Sequence, residues 1–193
     1  MTGRTHDAAA LTALIGATIL YPPPTITLAT ALVALLANQI GGIAPDIDQP
    51  TAPFWRNLPA EGIFGKIFDK LLGGHRFLTH SLVGAAILAW LTKLLLQFLH
   101  PIMPHVDITL VWYAFVIGVC SHLIMDTFTK EGVPWLLPIP YKFGFPPVKS
   151  LRITTGKFVE AVIIFPGLIL LDVYLLAQHY GALHAFIRSH LGA

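Results

Sequence analysis

Long apolar stretches alternate with short polar segments along this chain, and the alternation predicts membrane-spanning helices. No charged residue occurs from Ala8 to Pro45, which is too long for one span, and the run Pro22-Pro23-Pro24 would break a helix through it. A helix needs about 20 apolar residues to cross a bilayer. The pattern predicts an all-α membrane protein, a single transmembrane domain over residues 1–193, with about five spans at residues 7–20, 25–44, 80–99, 108–126 and 158–177.

The segment between the second and third predicted spans has a different pattern. Basic residues such as Lys66 and Lys70 alternate with aromatic and aliphatic ones, and Ile63, Ile67 and Leu71 recur at helical spacing. This pattern predicts an amphipathic piece lying on the membrane surface.

The composition agrees with a membrane protein and excludes other classes. Hydrophobic residues make up 55% of the chain and charged residues 11%, whereas soluble domains carry about 25% charged residues. The net charge of +2, without a basic stripe carrying interleaved aromatics, argues against a nucleic-acid partner and leaves membrane lipids as the surroundings. The one cysteine, Cys120, excludes a disulfide framework and a cysteine-type zinc site.

The distribution of lysine and arginine predicts the orientation in the membrane. With five alternating spans, ten of the 12 Lys and Arg residues fall on one side, and only Lys93 and Arg188 fall on the other. The positive-inside rule then predicts a multi-pass protein of the inner (cytoplasmic) membrane, with the N-terminus in the cytoplasm and the C-terminus outside.

Residues able to bind a metal collect at the cytoplasmic ends of the predicted spans. Carboxylates and imidazoles at a membrane boundary are costly unless they pair, bind a metal or face water, so they are candidates for a functional site. The candidate metal ligands are His6, Asp46, Asp48, His75, His80, His122 and Asp126, with Glu160 at the same end.

Spacing supports two of these pairs. Asp46 and Asp48 project the same way if the turn after the second span is extended. His122 and Asp126, at i and i+4, share one helical face. The structural alternatives are a water-facing helix end for the first pair and a packing contact for the second.

The motif His75-Arg76-Phe77-Leu78-Thr79-His80-Ser81 opens the third span. Residues five apart do not share a face of one continuous helix, so His75 and His80 converge only if His75 lies in the preceding loop. On spacing alone, a pair of interfacial histidines is the simpler interpretation. Arg76 is suited to hold a phosphate or carboxylate oxygen, or to reach the lipid headgroups.

Five motifs follow one another along the chain: Arg4-Thr5-His6, Pro45-Asp46-Ile47-Asp48, the His75–Ser81 motif, Ser121-His122-Leu123-Ile124-Met125-Asp126, and Thr155-Gly156 with Glu160. In these motifs the chain resembles the YdjM-like membrane-bound metal-dependent hydrolases, also described as LexA-binding inner-membrane-associated hydrolases. That family is similar in its ligands to zinc-dependent phospholipase C. The resemblance implies a metal-activated water that attacks a phosphoester, such as a lipid headgroup.

We therefore expect a phosphoesterase-like membrane hydrolase with one or two divalent ions. Mixed histidine and carboxylate ligands suit zinc first, and manganese or iron as alternatives. Asp48 or Glu160 is the expected general base, and Arg76 and Arg152 are expected to hold the anionic part of a lipid or lipid-linked phosphate substrate.

Two other hypotheses use the same residues. A non-catalytic metal-binding or transport protein would need polar residues across the bilayer midplane, whereas residues 82–91 and 110–118 are almost wholly apolar. A structural polar cluster would bind no metal and would only stabilise the bundle. The sequence leaves the substrate, the metal and the oligomeric state open.

Overall fold

The computed structural model describes residues 1–48, 78–139 and 141–191. Most of the predicted amphipathic surface segment lies outside these residues, as do His75 and Arg76, and the side chain of Asp48 is likewise not described. The described residues form six α-helices, namely α1 (Gly3–Leu20), α2 (Leu28–Ile43), α3 (Leu82–Leu99), α4 (Ile108–Thr127), α5 (Phe165–Gln178) and α6 (Tyr180–Leu191).

Non-α turns extend three of these helices. A 3₁₀ turn over Ala44–Asp48 continues α2, another over His100–Ile102 continues α3, and a π-helical turn over Val159–Ile164 precedes α5. The all-α prediction is confirmed, since the described residues contain no strand beyond two isolated bridges.

Four segments of the described chain are long and apolar enough to cross a membrane: Leu28–Ile47, Leu82–Ile102, Ile108–Thr127 and Val159–Gln178. The predicted number of about five is close to this. The fifth predicted span corresponds to α1, which is not among these four segments. Its 18 residues include the charged Arg4 and Asp7, so α1 is more polar than the four segments. This helix nevertheless packs against α2, α4 and α5, so it belongs to the bundle.

Side-chain caps fix where three helices begin. The Thr27, Ser81 and Asp107 side chains accept hydrogen bonds from the first-turn amides of α2, α3 and α4. The cap at Ser81 explains why α3 begins at Leu82, two residues after the predicted start, and it leaves His80 in the preceding turn.

Helices α2 and α4 form the closest contact in the bundle. A Cβ atom on Gly41 would lie 2.2 Å from the carbonyl oxygen of Phe115, and one on Gly118 would lie 2.2 Å from that of Asn38. The Asn38 side chain donates to the carbonyl oxygen of Ala114 at 3.0 Å. Small residues allow this backbone approach, as is typical of helix packing inside membranes.

Helices α3 and α5 present large apolar side chains outward. Phe98 on α3 is 80% exposed within the protein, and Leu170 on α5 is 69% exposed. In water such a surface would favour aggregation, whereas in a bilayer these side chains contact lipid. This exposure therefore supports the membrane location.

Candidate metal centre

Five side chains of metal-ligating types converge at one end of the bundle. His6 comes from the first turns of α1, Asp46 from the turn after α2, His80 from the turn before α3, and His122 and Asp126 from the end of α4. His6, His80, His122 and Asp126 are completely buried, whereas the Asp46 side chain is 19% exposed. The antiparallel path of the helices brings these residues together, as the sequence predicted.

Two carboxylate oxygens each lie close to a pair of imidazole nitrogens. The Nε2 atoms of His80 and His122 are 3.2 Å apart. Asp46 Oδ1 is 3.5 Å from the first and 3.7 Å from the second. Asp126 Oδ2 is 3.6 Å and 3.8 Å from the same two atoms. Metal–ligand bonds of about 2.0–2.1 Å place tetrahedral ligands about 3.3–3.4 Å apart.

Two hydrogen bonds orient the imidazoles of this group. Nδ1 of His122 lies 2.7 Å from the carbonyl oxygen of Gly42. A carbonyl oxygen only accepts, so Nδ1 carries the hydrogen and the lone pair of neutral His122 lies on Nε2, which faces the other ligand atoms. The Thr79 hydroxyl lies 3.1 Å from Nδ1 of His80. Metal-binding histidines commonly have partners of this kind on the second ring nitrogen.

His6 lies on the other side of His122. The two rings are stacked, with centroids 3.7 Å apart, and Nε2 of His6 is 3.4 Å from Oδ1 of Asp126. Neither ring nitrogen of His6 has a hydrogen-bond partner among the described residues. The amino group of Met1 also contacts Oδ1 of Asp126. The Asp126 carboxylate therefore faces His6 with one oxygen and the His80–His122 pair with the other.

The donor set fits a divalent cation. Two overlapping groups, His6–His122–Asp126 and Asp46–His80–His122, each place their ligand atoms within 4.8 Å of one another. Buried imidazole nitrogens and carboxylate oxygens this close repel through their lone pairs unless a proton or a metal ion lies between them. The nitrogen and oxygen ligands suit zinc, manganese or iron.

Glu160 lies apart from these two groups. Its carboxylate accepts four hydrogen bonds: from the amide of Thr2 at 2.6 Å, and at 2.7 Å from the Thr2 hydroxyl, the Thr5 hydroxyl and the amide of Gly156. Gly156 has a φ of +72°, a conformation that glycine adopts without strain. Glu160 thus fastens the start of α1 to the start of the last span, which explains why α1 begins at Gly3 rather than at residue 7.

Arg152 also lies away from the candidate metal centre. Its guanidinium donates to the carbonyl oxygens of Pro146 and Pro147 at 2.7 and 3.1 Å. The other predicted anion-binding residue, Arg76, lies outside the described residues, as does the predicted ligand His75. For Asp48 the structure gives only the backbone position, in the turn that carries Asp46.

Sequence reasoning missed the groups that orient the histidines. Thr79 precedes His80 directly, and Gly42 lies in the Gly41-Gly42 pair that ends α2. A hydroxyl residue beside a candidate ligand was a visible signal. No feature of the sequence indicated the role of the Gly42 carbonyl, because that role depends on how closely α2 approaches α4.

The fold and the site together define a helical membrane protein with a buried histidine–aspartate cluster at one membrane face. The chain matches the family described as YdjM inner membrane protein over residues 1–187, and it belongs to that family. It is also similar to the uncharacterized protein YvsG of Bacillus subtilis (strain 168), with 28% identity over 174 residues, which cover 90% of this chain and 93% of that protein. No solved structure matches the chain. The predicted family resemblance is thereby confirmed.

Proposed function

We propose that this protein is a metal-dependent hydrolase that cleaves a phosphoester at the cytoplasmic face of the membrane. The observation that carries the proposal is a cluster of ligand atoms in which the Nε2 atoms of His80 and His122 lie 3.2 Å apart, with Asp46 Oδ1 and Asp126 Oδ2 each 3.5–3.8 Å from both.

In this proposal the four ligand atoms hold one divalent ion, with zinc as the first candidate. His6 and Oδ1 of Asp126 provide part of a second position, and the two oxygens of Asp126 allow it to serve both. A bound divalent ion lowers the pKa of a water molecule and polarises a phosphoryl oxygen, which is the chemistry it would supply here.

The remaining roles belong to residues around the ligands. Asp48, in the same turn as Asp46, is the proposed proton acceptor. Glu160 is the weaker candidate for this role, because its lone pairs already accept four hydrogen bonds. Arg76 is the proposed anion-binding group, since the Arg152 guanidinium already holds two loop carbonyls.

The charge distribution supports a lipid or lipid-linked phosphate as substrate. Ten of the 12 basic residues fall on the side of the ligands in the predicted topology, which places the N-terminus and the site in the cytoplasm. A site at the ends of the spans lies at the depth of the headgroups, where phosphoesters of lipids are located.

Metal content and turnover of detergent-purified protein test the proposal. Wild type reconstituted with zinc or manganese is compared with His122→Ala/Asp126→Ala and with a control, His184→Ala/His190→Ala, on the exposed helix α6. We expect one or two ions per chain and hydrolysis of phosphatidic acid or a soluble aryl phosphate in wild type and control, and neither property in the site variant. Bound metal without turnover of any phosphoester would reject the hydrolase assignment.

Transport of the metal is the second candidate, and one observation favours it. On α1, the Thr12 hydroxyl lies 2.6 Å from a carboxyl oxygen of the buried Asp172 on α5, so the polar contacts between α1 and the last span continue beyond Thr5 and Glu160 into the membrane. Zinc or manganese flux into proteoliposomes that enclose a fluorescent chelator tests it. Flux that is lost on Asp172→Leu would favour transport, and metal retained without flux would favour hydrolysis.

A further inference from the structure

An apolar groove of about 400 Å³ lies between the end of α4 and the first half of the last span. Its lining contains no charged side chain, and the residues that matter here are Met125, Phe128, Ile163, Ile164, Gly167 and Leu171. Both helices are membrane-spanning, so the groove faces the hydrocarbon of the bilayer. Ile163 and Leu171 are 56% and 42% exposed within the protein, which leaves the groove accessible from the lipid.

The groove borders the candidate metal centre through Met1 and Met125, while none of the five candidate ligands is among its lining residues. Met125 lines the groove and precedes the ligand Asp126, and Met1 lines the groove while its amino group contacts Asp126 Oδ1. From Ile163 to Leu171 a helical rise of 1.5 Å per residue gives a length of about 12 Å, directed from the site into the bilayer. A molecule lying in the groove would therefore bring its headgroup end to the ligands.

A positive charge near one end of the groove complements an anionic headgroup. The Arg4 guanidinium lies 5.2 Å from the ring centroid of Phe165, which follows the groove residue Ile164.

Glycine keeps the groove open. A Cβ atom placed on Gly167 would have no atom within 4 Å, although the residue lies in a helix. The glycines at the α2–α4 contact are required by close packing, whereas packing explains nothing at Gly167. A larger side chain at this position would project into the groove.

We propose that this groove binds one acyl chain of an anionic glycerophospholipid and thereby places the headgroup phosphoester at the metal centre. The inference rests on the proposed hydrolase function and specifies its substrate class. An acyl chain is the occupant because glycerophospholipid hydrocarbon surrounds a membrane-spanning helix and because the lining is uniformly apolar.

Gly167→Leu tests this directly, because the leucine side chain would enter the groove without meeting protein atoms. The matched control is Gly16→Leu on α1, where a Cβ atom also meets nothing within 4 Å and which does not line the groove. Gly167→Ala fills less space and should give an intermediate effect. Unchanged elution in detergent and unchanged metal content verify that each variant is folded.

The first measurement is photolabelling in vesicles by phosphatidic acid that carries a diazirine on one acyl chain. We expect the label on Met125 and on residues 163–171 in wild type, reduced about tenfold in Gly167→Leu and unchanged in Gly16→Leu. Equal labelling of the two leucine variants, or crosslinks between two copies of the chain at these residues, would overturn the proposal.

The second measurement separates the groove from the chemistry. For metal-loaded protein, Gly167→Leu should lower kcat/KM for long-chain phosphatidic acid about tenfold and leave that for a soluble aryl phosphate unchanged. If both substrates are affected equally, the groove does not select the lipid and the inference is wrong. If wild type hydrolyses neither substrate, the proposed function fails, and the photolabelling alone decides whether the groove binds an acyl chain.

Discussion

Asp126 and Glu160 are both buried carboxylates at the same end of the bundle, yet their surroundings differ. Glu160 receives hydrogen bonds from two amides and two hydroxyls, so every contact supplies a hydrogen. Asp126 accepts a hydrogen bond from the Met1 amino group and also faces the Nε2 atoms of His6, His80 and His122 at 3.4–3.8 Å. Burial alone therefore does not identify a metal ligand. The neighbours differ, because Glu160 contacts hydrogen donors alone, whereas Asp126 also contacts three imidazoles, which are metal-binding groups.

The amide isostere Asp126→Asn should weaken metal binding, and this is the largest effect that we expect. The substitution keeps the shape but removes the negative charge that faces His6 with one oxygen and the His80–His122 pair with the other, so we expect metal affinity to fall by at least about 100-fold. Competition with a chelator of known affinity measures this. Wild-type affinity in the variant would mean that Asp126 is a structural carboxylate like Glu160.

Glu160→Gln should lower the stability of the protein and leave its metal affinity unchanged. The amide group of glutamine places a donor against the amide of Gly156 or against the threonine hydroxyls, so charge-assisted hydrogen bonds are lost and one donor is left unsatisfied. We expect a loss of about 2–3 kcal/mol in unfolding free energy in detergent. The folded fraction should bind metal as wild type does. A selective loss of metal at unchanged stability would place Glu160 among the ligands after all.

Gly118→Ala should affect both properties through packing. Its Cβ atom would lie 2.2 Å from the carbonyl oxygen of Asn38 and 2.8 Å from the amide nitrogen of Gly42, so α2 and α4 must separate. We expect a loss of about 1–3 kcal/mol in stability. Because Gly42 orients His122, metal affinity should fall about tenfold as well. Thermal unfolding and metal titration measure the two effects, with Gly16→Ala, in open space, as the control.

Asp172→Asn should have the smallest effect. Thr12 has one hydroxyl hydrogen, yet its oxygen lies 2.9 Å from the carbonyl oxygen of Ala8 and 2.6 Å from Asp172 Oδ1. Both contacts are satisfied if Thr12 donates to Ala8 and a protonated Asp172 donates to Thr12. A neutral amide then replaces a neutral acid, and we expect unchanged metal content and a stability change below about 1 kcal/mol. A loss above that in thermal unfolding would mean that Asp172 is ionised.

The sequence by itself determined the helical class, the approximate spans and the end of the bundle where His6, Asp46, His80, His122 and Asp126 meet. These follow from the length of apolar runs and the alternation of direction, which are properties of single segments about 20 residues long. The family followed from motifs read in order, and the match over residues 1–187 confirms it.

Only the tertiary structure decided which of these polar groups face one another. Glu160 and Arg152 had the chemistry of site residues, but Thr2, Thr5 and Gly156 surround the first and loop carbonyls bind the second. The orientation of His122 depends on the carbonyl of Gly42, which is within reach because Gly118 allows α4 to approach α2. Such contacts join residues far apart in the chain and change over distances below 1 Å, so hydropathy and spacing do not predict them.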